Sequence, residues 1–245
     1  MFEPSLSIAE APLRYSPQSA GASVAVPLQP VRVGPSTVIS AIQRRWQRER
    51  RRRKVGRAFD MALEIARVLP ANSRLLDVGC GNGYIAHHLS SLLGTTAIGI
   101  DLAPATEAAI DYRQFDGETF PVADNSVDAV LLCYVLHHAQ KVETVLTELR
   151  RVLSVRGLAV VYEDIPAAWW DRFICWTHDL KWRKRTGPCT FRDEREWRKV
   201  FQRAGLEIVS ERALSRGRNF AHPVRRRLYV LTTQTHSGPT AEQCL

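Results

Sequence analysis

The segment Leu75-Leu76-Asp77-Val78-Gly79-Cys80-Gly81-Asn82-Gly83-Tyr84 combines an apolar run, a carboxylate and three glycines. Glycines at this spacing allow a tight turn and close backbone approach to a ligand, and a helix that follows offers unpaired N–H groups. A dinucleotide fingerprint starting at Gly79 fails because Tyr84 stands at its third glycine, while Gly81, Gly83 and Ala86 fit the looser variant. Asp77, two residues before the first glycine, suits a cationic ligand better than a pyrophosphate. A second carboxylate, Asp101, follows 24 residues after Asp77, at the spacing of a group that accepts hydrogen bonds from ribose hydroxyls.

Further along, His137, His138, Glu163 and Asp164 fall at the expected ends of apolar runs. A neutral imidazole suits general-base work near neutral pH, so His137, His138 and Asp164 are the catalytic candidates. The plainer reading is that the histidines only pack or bond backbone. The five cysteines (Cys80, Cys133, Cys175, Cys189 and Cys244) are scattered, with no CxxC pair and no histidine at ligand spacing. Neither a metal site nor a disulfide framework is expected, and the thiols read as buried or incidental in a reducing compartment.

These residues need a scaffold. Arg74 to Val78, Ala97 to Ile100, Val127 to Leu132 and Leu158 to Tyr162 read as buried strands, and Val142, Val145, Leu146, Leu149, Val152 and Leu153 as one helix face. Alternation of strand and helix implies an α/β, Rossmann-like, doubly wound and mostly parallel sheet. Trp197, Val200, Phe201 and Ala204 mark a late helix ended by Gly205, and the runs Glu207 to Ser210 and Leu228 to Thr232 suggest a C-terminal antiparallel pair. Residues 1–36, with six prolines, read as a disordered arm; 37–54 as a basic helical segment; 55–235 as the catalytic domain; 236–245 as a frayed tail. Val55, Phe59, Leu63 and Ala66 form the stripe expected to pack on the domain. No apolar run approaches the roughly 20 residues that span a bilayer and no signal-peptide pattern opens the chain, which points to a cytoplasmic protein.

Four blocks in order, LLDVGCGNGYIA, GID, FDGETFPVADNSVDAVLLCYVLHH and LRRVLSVRGLAVVYED, resemble the class I S-adenosylmethionine (SAM)-dependent methyltransferases. Within that class the resemblance is to the broad group that includes the ubiquinone and menaquinone C-methyltransferases. It implies a seven-stranded sheet and SAM as the cofactor. It also implies that Gly79, Cys80, Gly81 and Gly83 cradle the amino-acid part of SAM while Asp77 organises its amino group. Asp101, with Leu102 beside it, takes the ribose; Asp116 faces the adenine amino group; Gly117 supplies backbone contacts; Cys133 lies near the methionine portion. Val155-Arg156-Gly157 departs from the family's proline-glycine-glycine turn.

Residues 165–190 carry Trp169, Trp170, Phe173, Trp176 and Trp182 among basic residues. They read either as an acceptor-side lid or as an amphipathic helix whose tryptophans are core. Between Arg44 and Arg57 lie nine basic residues against Glu49 alone, +8 of the chain's net +9. That run is a solvated helix face, a nucleic-acid contact surface or an anchor to an anionic membrane. The expected activity is methyl transfer by in-line displacement to a small-molecule or lipid-like acceptor. The alternatives are a tRNA or other nucleic-acid methyltransferase, which the lack of an NPPY-type motif disfavours, and a non-catalytic SAM-binding protein.

Overall fold

The structure is a computed structural model that describes residues 35–214 and 222–233. The expected arm up to residue 34 and the frayed tail 236–245 lie outside the described residues. Contacts divide the chain into Met1–Trp46 and Gln47–Leu245, and the second unit holds all the chemistry that follows.

Seven strands form one sheet in the order β3-β2-β1-β4-β5-β7-β6. They are β1 (Leu75–Val78), β2 (Ala97–Asp101), β3 (Asp111–Gln114), β4 (Val127–Cys133), β5 (Leu153–Asp164), β6 (Leu206–Leu214) and β7 (Arg226–Thr233). Strands β1 to β5 pair in parallel, whereas β7 runs antiparallel to both β5 and β6. The doubly wound, mostly parallel sheet with its late antiparallel pair therefore stands as the sequence suggested.

The helices are α1 (Pro35–Ala66), α2 (Tyr84–Leu93), α3 (Val142–Val152), α4 (Trp169–Thr186) and α5 (Glu194–Arg203). Each face of the sheet carries its own apolar cluster. One joins Ile65 of α1 and Leu89 of α2 to Leu75, Leu131 and Val160. The other joins Leu146 and Leu149 of α3 and Trp197 and Phe201 of α5 to Leu76, Leu132 and Tyr229. Burial on both faces explains why the central strands read as unbroken apolar runs rather than alternating ones.

Three local readings change. The packed stripe of α1 is Ala58, Ala62 and Ile65, continued by Leu69 just past the helix, all buried, while Phe59 (42% exposed) and Leu63 (37%) face outward. The face is turned by one residue because two alanines let the helix axis approach the sheet, where Glu64 accepts hydrogen bonds from Tyr162 Oη (2.9 Å) and Arg212 (2.9 Å). The helix 142–152 passes into β5 without a separate turn, so Leu153 is the first strand residue rather than part of the helix face. Residues 155–157 form an irregular stretch where the register shifts against β4 between Val127 and Ala129. Finally, Asp111–Gln114, too polar to be read as a strand, pairs with β2 at the sheet edge.

Strand order reverses between β1 and β4, and in such sheets the crevice at the carboxyl ends of the strands on either side of the reversal is the ligand site. The glycine loop follows β1 and the segment Tyr134–Ala139 follows β4, so both candidate clusters border that crevice.

Candidate functional site

The first cluster is built by the loop between β1 and α2. Gly79, Gly81 and Gly83 all have positive φ, 67°, 54° and 73°, a region that side-chain-bearing residues enter at a cost. The three are not equivalent. A Cβ on Gly79 would lie 2.6 Å from Val135 Cγ2, and one on Gly83 2.7 Å from Thr106 Oγ1, whereas one on Gly81 meets nothing within 4 Å. Gly79 and Gly83 are thus required by packing, and Gly81 borders open space.

Asp77 is buried and its Oδ2 has no hydrogen-bond partner. Burial first, and then the nearby charge of Asp101, push its pKa up to about 7, with the backbone amide of Ala86 pulling the other way. A buried carboxylate without a hydrogen-bond partner is costly when ionised, and a cationic group beside it would relieve that cost. Asp101, at the end of β2, accepts from Gly81 N (2.8 Å) and Ala103 N (3.0 Å), which fixes its carboxylate against the loop and leaves further lone pairs for hydroxyl donors.

Asp116 is exposed, and its Oδ1 accepts from Glu118 N (2.8 Å) and Thr119 N (2.7 Å), which hold its pKa below the ordinary value. Gly117 (φ 89°) lies against Leu102, which is 49% exposed; a Cβ there would stand 3.1 Å from Leu102 Cδ2. The ends of β2 and β3 thus make one wall, tied by Phe115 N to Asp101 O (3.1 Å). Cys133 sits at the end of β4, and burial with the charges of Asp77 and Glu163 raises its thiol pKa. Cys80 is likewise raised, by burial and by Asp77 and Asp101. All ten residues that the resemblance implied for the cofactor therefore border the carboxyl edge of β1 to β4.

Sequence reasoning missed the brace beneath this loop. Tyr84 Oη accepts from Arg51 Nε (2.9 Å) and donates to Glu107 Oε2 (2.7 Å); Asn82 donates to Glu107, and Lys54 reaches Asn82 Oδ1 (3.4 Å). Two members of the basic run are thereby committed to the loop, while Arg48, Arg52 and Arg57 are exposed. The carboxylate Glu107 in the intervening loop carried no signal of this in the sequence.

The second cluster collects histidines. His137 is buried, its Nδ1 donates to Glu163 Oε2 (2.7 Å), and Glu163 Oε1 accepts from Leu136 N (2.8 Å). Burial lowers the His137 pKa, but the charge and hydrogen bond of Glu163 outweigh it and the net shift is upward. His138 Nδ1 lies 3.1 Å from Thr186 Oγ1 and 3.3 Å from Cys189 Sγ; burial and the neighbouring His137 and His178 lower its pKa to about 3. His178, on α4, is lowered to about 4, by burial first. Asp164 is buried within 2.9 Å of His222 Nε2 and 3.1 Å of Arg226 Nε, and these partners overcome its burial to keep its pKa low. Tyr134, between the clusters, holds φ 62° without being glycine, a strained position at the end of β4.

Helix α4 is inverted relative to an ordinary amphipathic helix. Asp171, Cys175 and Asp179 are its buried positions, and Trp169, Trp170, Phe173 and Trp176 are 46–76% exposed with neighbouring ring centroids 5.5–5.9 Å apart. The core reading of these aromatics does not hold. Only Trp182 turns inward, its ring 5.7 Å from that of His138. Between α4 and residues 189–196 lies a cavity of about 490 Å³ whose lining includes Arg172, Trp176, Asp179 and Phe191. No helix among the described residues is long and apolar enough to cross a membrane.

Residues 76–161 match the family model described as "Methyltransferase domain". A ubiquinone biosynthesis O-methyltransferase of Cereibacter sphaeroides is 29% identical over 164 residues, 58% of this chain and 63% of that relative's length. A demethylmenaquinone methyltransferase of Thermus thermophilus is 31% identical over 134 residues, 50% of this chain and 55% of the relative. The chain thus spans less than two thirds of the length of these relatives. Among solved structures, a SAM-dependent methyltransferase from Aquifex aeolicus has the same fold, with TM-score 0.53 and 17% identity over 71% of this chain and 89% of that one. With its four sequence blocks gathered on one edge of the sheet, the chain carries over residues 76–161 a methyltransferase domain, built on the fold that the SAM-dependent methyltransferase of Aquifex aeolicus shares.

Proposed function

We propose that the protein transfers the methyl group of SAM to a small-molecule or lipid-like acceptor by in-line displacement. The observation that carries this reading is the buried Asp77 carboxylate with an unpartnered oxygen, four residues before Gly81, whose own Cβ position is open. A ligand with an ammonium group at that point relieves the cost of the unpaired carboxylate. In this reading Asp101 would accept from ribose hydroxyls, Leu102 and Gly117 would flank the adenine, and Asp116 Oδ2 would accept from its amino group. When bound, the sulfonium supplies an activated methyl group.

For such a transfer the chain's main tasks are alignment of the two reactants and exclusion of water. No general base is assigned. Asp164 is committed to His222 and Arg226, and His138, with a pKa of about 3, is a weak proton acceptor near neutrality. A lipid-like acceptor is supported by the exposed aromatic face of α4, with Arg172, Lys181, Lys184 and Arg185 also exposed on that helix. The relatives' names agree with it, since one specifies ubiquinone biosynthesis and the other demethylmenaquinone.

Incubation of the full chain with methyl-labelled SAM and fractionated small molecules, lipids and RNA tests the proposal. Label is expected in the small-molecule or lipid fraction. Label confined to RNA overturns the acceptor class, and SAM binding without any transfer makes the protein a non-catalytic SAM binder.

A further inference from the structure

We infer that His137, His138 and His178 form a binding site for a divalent transition-metal ion of the kind zinc exemplifies. One ring nitrogen of each lies within 4.8 Å of those of the other two. His138 Nε2 and His178 Nε2 stand 3.3 Å apart. That is at the long end for a hydrogen bond, just past the range of about 2.7–3.2 Å for N–H···O. It equals the edge of a tetrahedron with zinc–nitrogen bonds of about 2.0–2.1 Å, roughly 3.3 Å.

The other ring nitrogens are consistent with this assignment. His137 Nδ1 is held by Glu163, which leaves Nε2, a buried atom with no hydrogen-bond partner. Leaving such a group unsatisfied is destabilising, and a metal ion removes that cost. His138 Nδ1 faces Thr186 and Cys189, so its Nε2 is the atom turned to His178. Glu163 behind His137 is the carboxylate–histidine arrangement that fixes the ring of a metal ligand, and Leu136 N fixes Glu163 in turn.

Three imidazoles suit zinc and its neighbours in the first transition row rather than magnesium or calcium, which take oxygen ligands. A tetrahedral ion on three histidines keeps one position for water or an oxygen of a bound molecule. Two of the ligands follow β4 and the third comes from α4, 40 residues later, so the ion would fasten α4 to the sheet edge. The plainer alternative is a ring cluster with Phe191, stacked on His137 at 4.7 Å, and Trp182. It binds no ion.

The test uses the full chain stripped with a chelator and titrated with Zn2+ against a chromophoric competitor, and with Co2+ for its visible absorption. One ion per chain is expected, with the absorption of a tetrahedral cobalt centre and a rise in Tm. His138→Ala and His178→Ala should each weaken Zn2+ binding at least about 100-fold, and Glu163→Gln about 10- to 100-fold. His87→Ala, outside the cluster, should leave it unchanged. Retained SAM binding in His178→Ala shows that this variant, altered on a part-exposed helix, is folded. Zn2+ binding as tight in the His138→Ala/His178→Ala double variant as in the wild type overturns the inference, and so does wild-type binding no tighter than millimolar. The readout is independent of methyl transfer, so the proposed reaction and the metal site can fail separately.

Discussion

Between Asp77 and Gly117 the walls of the cofactor crevice come from consecutive strand ends and the loops that leave them. Between His137 and His222 the groups at the neighbouring edge come from a loop, a strand, an inverted helix and the segment before β7. The first region places its chemistry by backbone: three positive-φ glycines, amides that pin Asp101 and a turn that pins Asp116. The second places it by side-chain contacts, with Glu163 on His137, Thr186 and Cys189 on His138, and Asp164 on His222 and Arg226. Backbone geometry is written into one short segment, while the side-chain contacts depend on residues brought together from distant parts of the chain.

The largest effect should come from the glycine that borders the ligand. Gly81→Val is expected to lower SAM affinity by roughly 100-fold or more, about 2.7 kcal/mol, because its side chain enters space that is otherwise open. Gly79→Ala, which drives a Cβ against Val135, should instead show up mainly as lost thermal stability. Calorimetric titration with SAM and thermal unfolding of both variants separate the two roles. Equal losses of affinity and equal losses of stability in the two variants would erase the distinction among the glycines.

A smaller effect, and a signed one, belongs to Asp77. Its pKa in the folded chain, about 7, lies above the unfolded value of about 3.9, so the folded state binds the extra proton. Its contribution to stability is therefore full below about pH 4 and is lost as pH rises toward 7. SAM binding favours the ionised carboxylate and should strengthen across that same interval, with proton release on binding. In Asp77→Asn both trends should flatten, with SAM affinity about tenfold lower at pH 8, one charge-assisted hydrogen bond's worth. Calorimetry in buffers of different ionisation enthalpy measures the proton release directly. A wild-type affinity that does not vary between pH 5 and 8 would mean that Asp77 faces no cation.

The same contrast sets what could be read in the sequence. Asp77, the glycines and Asp101 were legible as a cluster because one strand-loop-strand unit fixes the spacing of its carboxylates and its side-chain-free positions. The strands β1, β2, β4, β5 and β7 were legible because burial on both faces makes their central runs mostly apolar, and the run Glu207 to Ser210 marked part of β6. Strand β3 was not, since DYRQ at an edge has no apolar run to betray it. Periodicity found α1 but chose the larger residues Phe59 and Leu63 for its inner face, where close approach to the sheet selects Ala58 and Ala62. His178 could not be joined to His137 and His138, because 40 residues and the placement of α4 separate them, and no local spacing encodes that placement.

The smallest expected effect concerns the exposed aromatics of α4, where the sequence left core and surface readings equally open. A tryptophan truncated in a packed core costs about 3–5 kcal/mol, whereas substitutions at exposed positions mostly stay within about 0.5 kcal/mol. Trp169, 76% exposed, and Trp176, 54% exposed, belong to the second class. Trp169→Ala and Trp176→Ala should therefore leave the urea midpoint and SAM affinity nearly unchanged, and lower turnover only with a lipid-like acceptor. Trp197→Ala, fully buried against Phe201, gives the core reference and should lose several kcal/mol in the same titration. If Trp169→Ala destabilises the chain as much as Trp197→Ala, the outer face of α4 is covered in solution, and the aromatics serve packing rather than the acceptor. If both surface variants keep full turnover on every acceptor, the basis for a lipid-like substrate at α4 is gone, while the cofactor edge, held by its own backbone, is untouched.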